Sequence, residues 1–300
     1  MGFISKPVSK KPFRSVSLPC RSHPSTDEIE KLLNKVKTWE STLSLVSPSA
    51  EIICSGFSQL TELYECLDDL VKTNMSQSSS SRTSNQTMKW TDEVLDISVK
   101  FLDICSTITE VISQTSQHLR DLSCDLRRNG GCSNESVISK YNLFRNNLKR
   151  DIKGSMASLK QVDKMISSSS LNVDSENYPS ISMIPYFREV TALSTVIFRI
   201  SLVFLATPLL KTKTARKWTV VSTRKVVPEA KVDVNVNELQ SLDAAVVGYS
   251  HCDKHENIQV IKKKLEASEA TLESINSSIE LMSRRLIGTR ASLLNMVSFC

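Results

Sequence analysis

The chain has 300 residues, with 38 Lys and Arg against 32 Asp and Glu, so its net charge is +6. Hydrophobic residues make up 40% of it, which is enough to build a core. Only 7 Gly and 4 His occur. The few glycines disfavour the Gly-rich loops of nucleotide-binding sheets and the turns of β-sandwiches, and the few histidines leave little for acid–base or metal chemistry.

The amino-terminal residues 1–24 predict a disordered, basic, Ser-containing tail ahead of a single helical domain at 25–300. The tail has no acidic residue, because the first one in the chain is Asp27. A basic, Ser-containing, acid-free start is also typical of plastid transit peptides. We therefore expect a cytoplasmic protein, with a plastid location as the alternative.

One motif in this tail has a specific use. Arg14, Ser17 and Pro19 lie in the pattern Arg-Ser-x-Ser-x-Pro, which phosphoserine-binding adaptors of the 14-3-3 class read once the second Ser is phosphorylated. A phosphate adds about −1.5 to −2 charge that a cluster of arginines can bind. We hypothesise that Ser17 is a regulatory phosphosite.

Six stretches of the chain repeat apolar residues with the 3.6-residue period of a helix. In the first, Ser25 and Glu28 are spaced as a capping box, and Pro48 fits the first turn of the second. The third is expected from about Trp90 to Arg127 and the fourth from near Ser133. Ser-rich polar loops, such as Ser76–Thr87, separate the helices.

The fifth stretch is expected to have Pro185 in its first turn and Pro208 just past its end. It overlaps the most apolar window of the chain, Val190–Leu210, whose length suits a membrane span. Arg199 lies in its middle, however, and a central Arg costs about 2.5–3.5 kcal/mol on insertion scales. We favour a central buried helix and keep a membrane span as the alternative. A short helix is expected further on, around Glu238–Val246.

A basic cluster follows this apolar window. Its members, which suit the headgroup region of a membrane, are Lys211, Lys213, Arg216, Lys217 and Trp218. The alternative interpretation is a solvated basic loop. Residues 190–218 therefore carry a membrane-association hypothesis, either peripheral or integral.

The last stretch has apolar residues alternately three and four positions apart, as in a heptad repeat. The members of this seam are Ile258, Ile261, Leu265, Ser268, Leu272, Ile275, Ile279, Met282, Leu286, Thr289, Leu293, Met296 and Cys300. Such a helix would be on the order of 60 Å long. Because Ser268 and Thr289 are polar, we expect the seam to pack inside the protein rather than in a simple two-stranded coiled coil. The predicted fold is an all-α, elongated bundle of five to seven long helices.

Familiar catalytic patterns are missing from the sequence: it has no Walker A loop, dinucleotide fingerprint, nucleophile elbow or zinc-protease motif. His251, Cys252 and His255 form the one ligand-like cluster, and a second pair at zinc-site spacing is missing. We therefore expect no enzyme activity, cofactor or metal. The modest and divided positive charge also argues against nucleic-acid binding.

The order of several short motifs resembles the BYPASS-like family of plant proteins. The matching segments are 14–19 with 23–24, 66–70, 102–105, 126–128, 218–222 and 284–295. The resemblance implies a plant protein connected with root and shoot development, without catalytic residues to carry over. We therefore expect a non-enzymatic interaction or scaffold protein with protein partners. An enzyme without a recognisable motif is a further alternative.

Two charged groups within these motifs have their own physical interpretation. Asp68 and Asp69 are adjacent, so on a helix they point about 100° apart and do not form a carboxylate pair; we expect them to be solvated. Arg284, Arg285 and Arg290 flank the terminal seam. They are expected to pair with acids on neighbouring helices, to cover apolar edges, or to bind a partner.

Overall fold

The computed structural model describes residues 24–43, 48–77, 85–128, 135–168, 183–206, 236–249 and 254–298. These residues form helices and contain no strand, which confirms the all-α prediction. The helices are α1 (Pro24–Thr42), α2 (Ala50–Gln77), α3 (Asn85–Arg128), α4 (Glu135–Ser168), α5 (Ile184–Ala206), α6 (Glu238–Tyr249) and α7 (Lys254–Ser298).

Four predicted helix starts are shifted. Those of α1, α2 and α4 move by one or two residues, whereas α3 begins at Asn85, five residues before Trp90 and inside the loop expected at 76–87. Helix α1 begins at Pro24, so Ser25 lies inside its first turn rather than at the cap. A proline suits the first position of a helix because it has no N–H that would be left unpaired there. Helix α2 is capped by Ser49, whose Oγ accepts a hydrogen bond from the Ile52 amide at 3.4 Å. Pro48 therefore lies just outside α2 instead of in its first turn.

Four helices form the centre of the bundle. Helix α7 packs against α2 and α3, and α5 packs against the same two helices. Helices α1 and α4 flank α5, and α6 packs against α7. One cluster of buried apolar side chains draws members from all seven helices.

The terminal seam is buried as predicted. Every member from Ile258 to Met296 has at most 8% of its surface exposed, the polar Ser268 and Thr289 included. Cys300 lies outside the described residues. At 45 residues, α7 is on the order of 65 Å long, so its seam extends along most of the bundle.

Helix α5 lies inside the bundle. The ring of Phe198 stacks on Phe101 of α3 at 5.2 Å between centroids and meets Phe57 of α2 edge-on at 5.5 Å. Arg199 faces outward to Asp163 of α4, with 2.6 Å between Nη2 and Oδ2. Among the described helices, α5 is the one long and apolar enough to cross a membrane, and 61% of its most apolar window is buried in the protein.

A glycine sets the contact between α1 and α2. A Cβ placed on Gly56 would lie 2.7 Å from a ring carbon of Trp39, so the indole packs directly on the α2 backbone. A Cβ placed on Gly154 of α4 would have no atom within 4 Å. The two glycines therefore differ in what they do, although both lie in the middle of a helix.

We predict that Gly56→Ala destabilises the protein by about 1–3 kcal/mol, because the new methyl group displaces Trp39. Gly154→Ala should stabilise it by roughly 0.5–1 kcal/mol, since alanine is the better helix former. Urea unfolding followed by circular dichroism measures both changes. Equal effects of the two substitutions would contradict the close contact.

Candidate partner-binding face of the terminal helix

Several residues singled out in the sequence lie outside the part of the chain that the structure describes. They are the tail motif with Arg14, Ser17 and Pro19, the basic patch with Lys211, Lys213, Arg216, Lys217 and Trp218, and the side chains of His251, Cys252 and His255. The Ser17 hypothesis and the membrane-patch hypothesis therefore stay predictions. Among the described residues, no three Cys, His, Asp or Glu side chains come together as a metal site would need.

Two of the three terminal arginines make contacts with other helices. Arg285 pairs with Glu65 of α2, with 3.0 Å between Nη2 and Oε1. Arg290 donates from Nη1 to the Leu95 carbonyl at 2.6 Å and to Ser98 Oγ at 2.9 Å, both in α3. The expected pairing with a neighbouring acid is thus correct for Arg285, whereas Arg290 binds a carbonyl and a hydroxyl.

The expected solvation of Asp68 is wrong. Its side chain is only 19% exposed, accepts a hydrogen bond from the Ser292 hydroxyl of α7, and pairs with Lys72 at 2.6 Å. Asp69 is 66% exposed, as expected. Asp68, Arg285 and Arg290 together fix the rotation of α7 on α2 and α3, because each contact joins one side of α7 to a particular neighbour.

With the seam held inward, exposed apolar residues are left on the opposite side of α7, next to polar ones such as Glu280 and Asn295. We call this side the outer face, defined by Leu281, Ile287, Gly288, Ala291 and Leu294. The exposed fractions of the three large side chains are 47%, 56% and 44%. At about 100° per residue, these positions centre on the side away from Leu286, Thr289 and Leu293.

Arg284 lies in the middle of the outer face, one heptad before Ala291. Its side chain is 76% exposed and forms a long ion pair with Glu280, one turn away, with 3.9 Å between Nη2 and Oε2. Gly288 beside it has no atom within 4 Å of a would-be Cβ. The outer face therefore combines exposed apolar groups, one accessible cation and a place where another backbone can approach closely.

A buried polar cluster supports the other end of the bundle. Arg145 of α4 forms a fork on Asp243 of α6, with Nη2 at 2.9 Å from Oδ2 and Nε at 3.1 Å from Oδ1. Its Nη1 donates to the Leu205 carbonyl at 2.8 Å, and Tyr141 donates to Asp243 Oδ1 at 2.8 Å. One guanidinium thus joins α4, the last turn of α5 and α6.

The electrostatics of this cluster favour charged Arg145 and protonated Tyr141. Burial, and after it the charge of Asp243, raises the pKa of the Tyr141 hydroxyl, so this group stays a donor. For Arg145, burial works against the charged form, but Asp243 outweighs it and the pKa of the guanidinium is raised. The cluster is therefore a structural ion pair that keeps its charge.

An all-α bundle with an exposed apolar helix face is the class of protein that these observations define. The chain belongs to the family described as Protein BPS1, whose model matches residues 56–296. This match extends from α2 to α7 and confirms the BYPASS-like resemblance of the sequence. Comparisons with curated proteins and with solved structures found no match.

Sequence reasoning missed both the outer face and the buried cluster, although each leaves a signal. Leu281, Ile287 and Leu294 are large apolar residues off the heptad seam, where polar residues are usual. Arg145 occupies an apolar position of the α4 period, between Tyr141 and Leu148. A charged residue in a buried stripe indicates a buried partner, but the sequence does not say which one.

We predict that Arg145→Met destabilises the protein by about 3–5 kcal/mol, because it leaves Asp243 buried without its partner. Chemical unfolding measures the loss. In the double variant Arg145→Met/Asp243→Leu, stability should recover relative to the single variant, since neither charge is then buried.

The matched control is Lys37→Met, which removes an ion pair with Glu189 at the surface. Its cost should stay within about 1 kcal/mol. If Arg145→Met/Asp243→Leu were as unstable as Arg145→Met alone, the unpaired charge of Asp243 would not be the cause of the lost stability.

Proposed function

We propose that this protein is a non-enzymatic, cytoplasmic interaction protein of a plant developmental pathway in root and shoot, and that it binds a partner protein on the outer face of α7. Membership of the BPS1 family supports the developmental setting. The observation that carries the binding role is the outer face itself, since several large apolar side chains exposed on one side of a helix mark an interaction site.

The chemistry of the outer face specifies the kind of partner. A helix lies well along another helix when it presents apolar anchors at one face. Ile287 and Leu294, one heptad apart, share such a face, and Leu281 lies roughly a third of a turn around the helix from them. Gly288 lets the two backbones approach closely. The proposed occupant is therefore an amphipathic helix of the partner.

Arg284 adds a charge requirement. Its contact with Glu280 is a long surface pair, which contributes little to stability. A carboxylate on the partner helix can form a shorter, charge-assisted hydrogen bond to this guanidinium as the apolar groups around it lose water. The partner helix should therefore carry Asp or Glu next to its apolar face.

We predict that a photo-crosslinking residue at position 287, in the full chain expressed in plant tissue, captures a helical segment with an apolar face and an adjacent acid. The same residue at position 143 is the control, because Leu143 of α4 is 62% exposed and lies on another helix. Mass spectrometry of the crosslinked peptides identifies the segment. Capture of the same segment from both positions would contradict a specific face.

Substitutions test the same face without the crosslinker. Ile287→Asp and Arg284→Glu should each weaken binding of the identified segment at least tenfold, because one puts a charge among the apolar contacts and the other reverses the cation. Leu143→Asp should leave binding unchanged. All three positions are exposed, so thermal unfolding should show the same stability in each variant.

A second candidate function is peripheral membrane binding through the basic patch. One contact favours it: Arg145 ties the Leu205 carbonyl to Asp243, so the elements that flank residues 207–235 are fixed to each other on the bundle. The burial of α5 supports a surface mode rather than a span. A cluster of Lys and Arg residues suits anionic lipid.

For this candidate we predict that the protein sediments with vesicles containing phosphatidylserine. Replacing Lys211, Lys213, Arg216 and Lys217 by Glu should weaken sedimentation at least tenfold, since each basic residue near an anionic surface contributes about 1 kcal/mol. The matched control makes the same charge change at four exposed lysines of α4, which are Lys140, Lys153, Lys160 and Lys164. Equal losses in both variants would indicate net charge rather than the patch.

A further inference from the structure

The solvent-facing side of α4 carries a row of cations. Exposed residues recur there alternately three and four positions apart, at Arg150, Lys153, Ala157, Lys160 and Lys164. We call this row the basic stripe. Its four cations span positions 150–164, on the order of 20 Å of helix, and no acidic residue interrupts the row. The basic stripe lies on a different helix from the outer face of α7 and takes no part in the proposed function.

Like charges follow one another along this side of α4. Two like-charged pairs lie one turn apart, Lys149 with Lys153 and Lys160 with Lys164. Such neighbours at i and i+4 destabilise a helix, whereas opposite charges at the same spacing stabilise it. In α2, for example, Asp68 pairs with Lys72 at 2.6 Å. The charge pattern of α4 therefore costs stability when the helix has only water beside it.

The lysines of the basic stripe are not neutralised by the protein itself. In the described part of the chain, Lys153, Lys160 and Lys164 form no ion pair. Asp163, next to Lys164 in the chain, pairs instead with Arg199 of α5, with 2.6 Å between Oδ2 and Nη2. Three exposed ammonium groups are therefore available to an anion from outside.

An apolar side chain and a glycine accompany the cations. Leu143, one heptad before Arg150, is 62% exposed, the largest exposed fraction of any large apolar residue among those described. Gly154 is also exposed, and a Cβ placed on it would have no atom within 4 Å. A glycine in the middle of a helix costs stability relative to alanine, and no neighbouring atom crowds this one. Close approach of another backbone gives the glycine a use.

We propose that the basic stripe binds an acidic amphipathic helix of a second partner protein. Carboxylates three and four positions apart on that helix pair with Lys153, Lys160 and Lys164, because a helix lying along α4 has the same rise of about 1.5 Å per residue. An apolar residue of the partner packs on Leu143, and Gly154 lets the backbones approach. A phosphate backbone supplies negative charge but no apolar group for Leu143, so the two features together favour a protein helix.

The test uses a synthetic helical peptide as the probe. It is about 20 residues long, on the order of 30 Å, with glutamates three and four positions apart and leucines beside them. A second peptide has glutamine in place of every glutamate. In fluorescence anisotropy, the full chain should bind the glutamate peptide, and the glutamine peptide at least tenfold more weakly, because the ammonium groups then have no carboxylate to pair with. Equal binding of the two peptides, or binding of neither, would overturn the proposal.

Variants place the binding on the basic stripe. Replacing Lys153, Lys160 and Lys164 together by Gln should weaken binding of the glutamate peptide at least tenfold. The matched control makes the same charge change at three exposed lysines of other helices, which are Lys31, Lys89 and Lys263. The control variant should bind the peptide as tightly as the unaltered chain. Similar losses in the two triple variants would refute the site, since net charge would then account for the binding.

Gly154→Gln separates binding from folding. The longer side chain should hold the peptide away from α4 and weaken its binding severalfold. Thermal unfolding of the same variant should show a higher melting temperature, because glutamine is the better helix former. A Gly154→Gln protein that binds the glutamate peptide as tightly as the unaltered chain would contradict the close approach of two helices.

Two other anionic probes check the class of partner. They are a short DNA duplex and vesicles that contain phosphatidylserine. The triple Lys→Gln change in the basic stripe should affect binding of either probe less than it affects binding of the glutamate peptide. A larger effect on the duplex or on the vesicles would overturn the assignment to a protein helix.

Discussion

Burial of the α7 seam against α2 and α3 is the constraint on which the rest of the structure depends. A helix of 45 residues with one continuous apolar stripe has to cover that stripe along its whole length. Helices α2 and α3 do so over most of it and α6 over the amino-terminal part. Once the seam faces inward, the opposite side faces outward, and the same rotation that builds the core presents Leu281, Ile287 and Leu294 to the solvent.

Polar side chains near this seam determine its register. Ser292 meets Asp68, Arg285 meets Glu65 and Arg290 meets the Leu95 carbonyl, so a shift of α7 by one turn would break all three contacts. The hydrophobic effect alone does not select one register, because apolar contacts are not directional. The apolar stripe therefore buries α7, and the directional contacts at the edges of the seam select its register.

The interior of the bundle shows how a nearly all-round apolar helix is accommodated. Helix α5 lies among α1, α2, α3 and α4, and its small polar residues bond within the helix, as when Ser194 donates to the Val190 carbonyl at 2.7 Å. Arg199, the charged residue in the middle of its apolar window, faces the edge next to Asp163. Burial of this helix and the paired position of Arg199 account for a membrane-like window in a helical bundle.

By itself, the sequence determined the helical class, the approximate helix bounds and the residues of the buried seam, because the 3.6-residue period and helix capping are local properties of neighbouring residues. Only the tertiary structure decided which distant groups meet. Arg145 and Asp243 are 98 residues apart, and the Ala50 amide and Glu238 are 188 apart. Those pairings depend on how the helices are arranged around one another, and periodicity carries no information about that. For this reason the outer face and the buried ion pair became visible only in the folded chain.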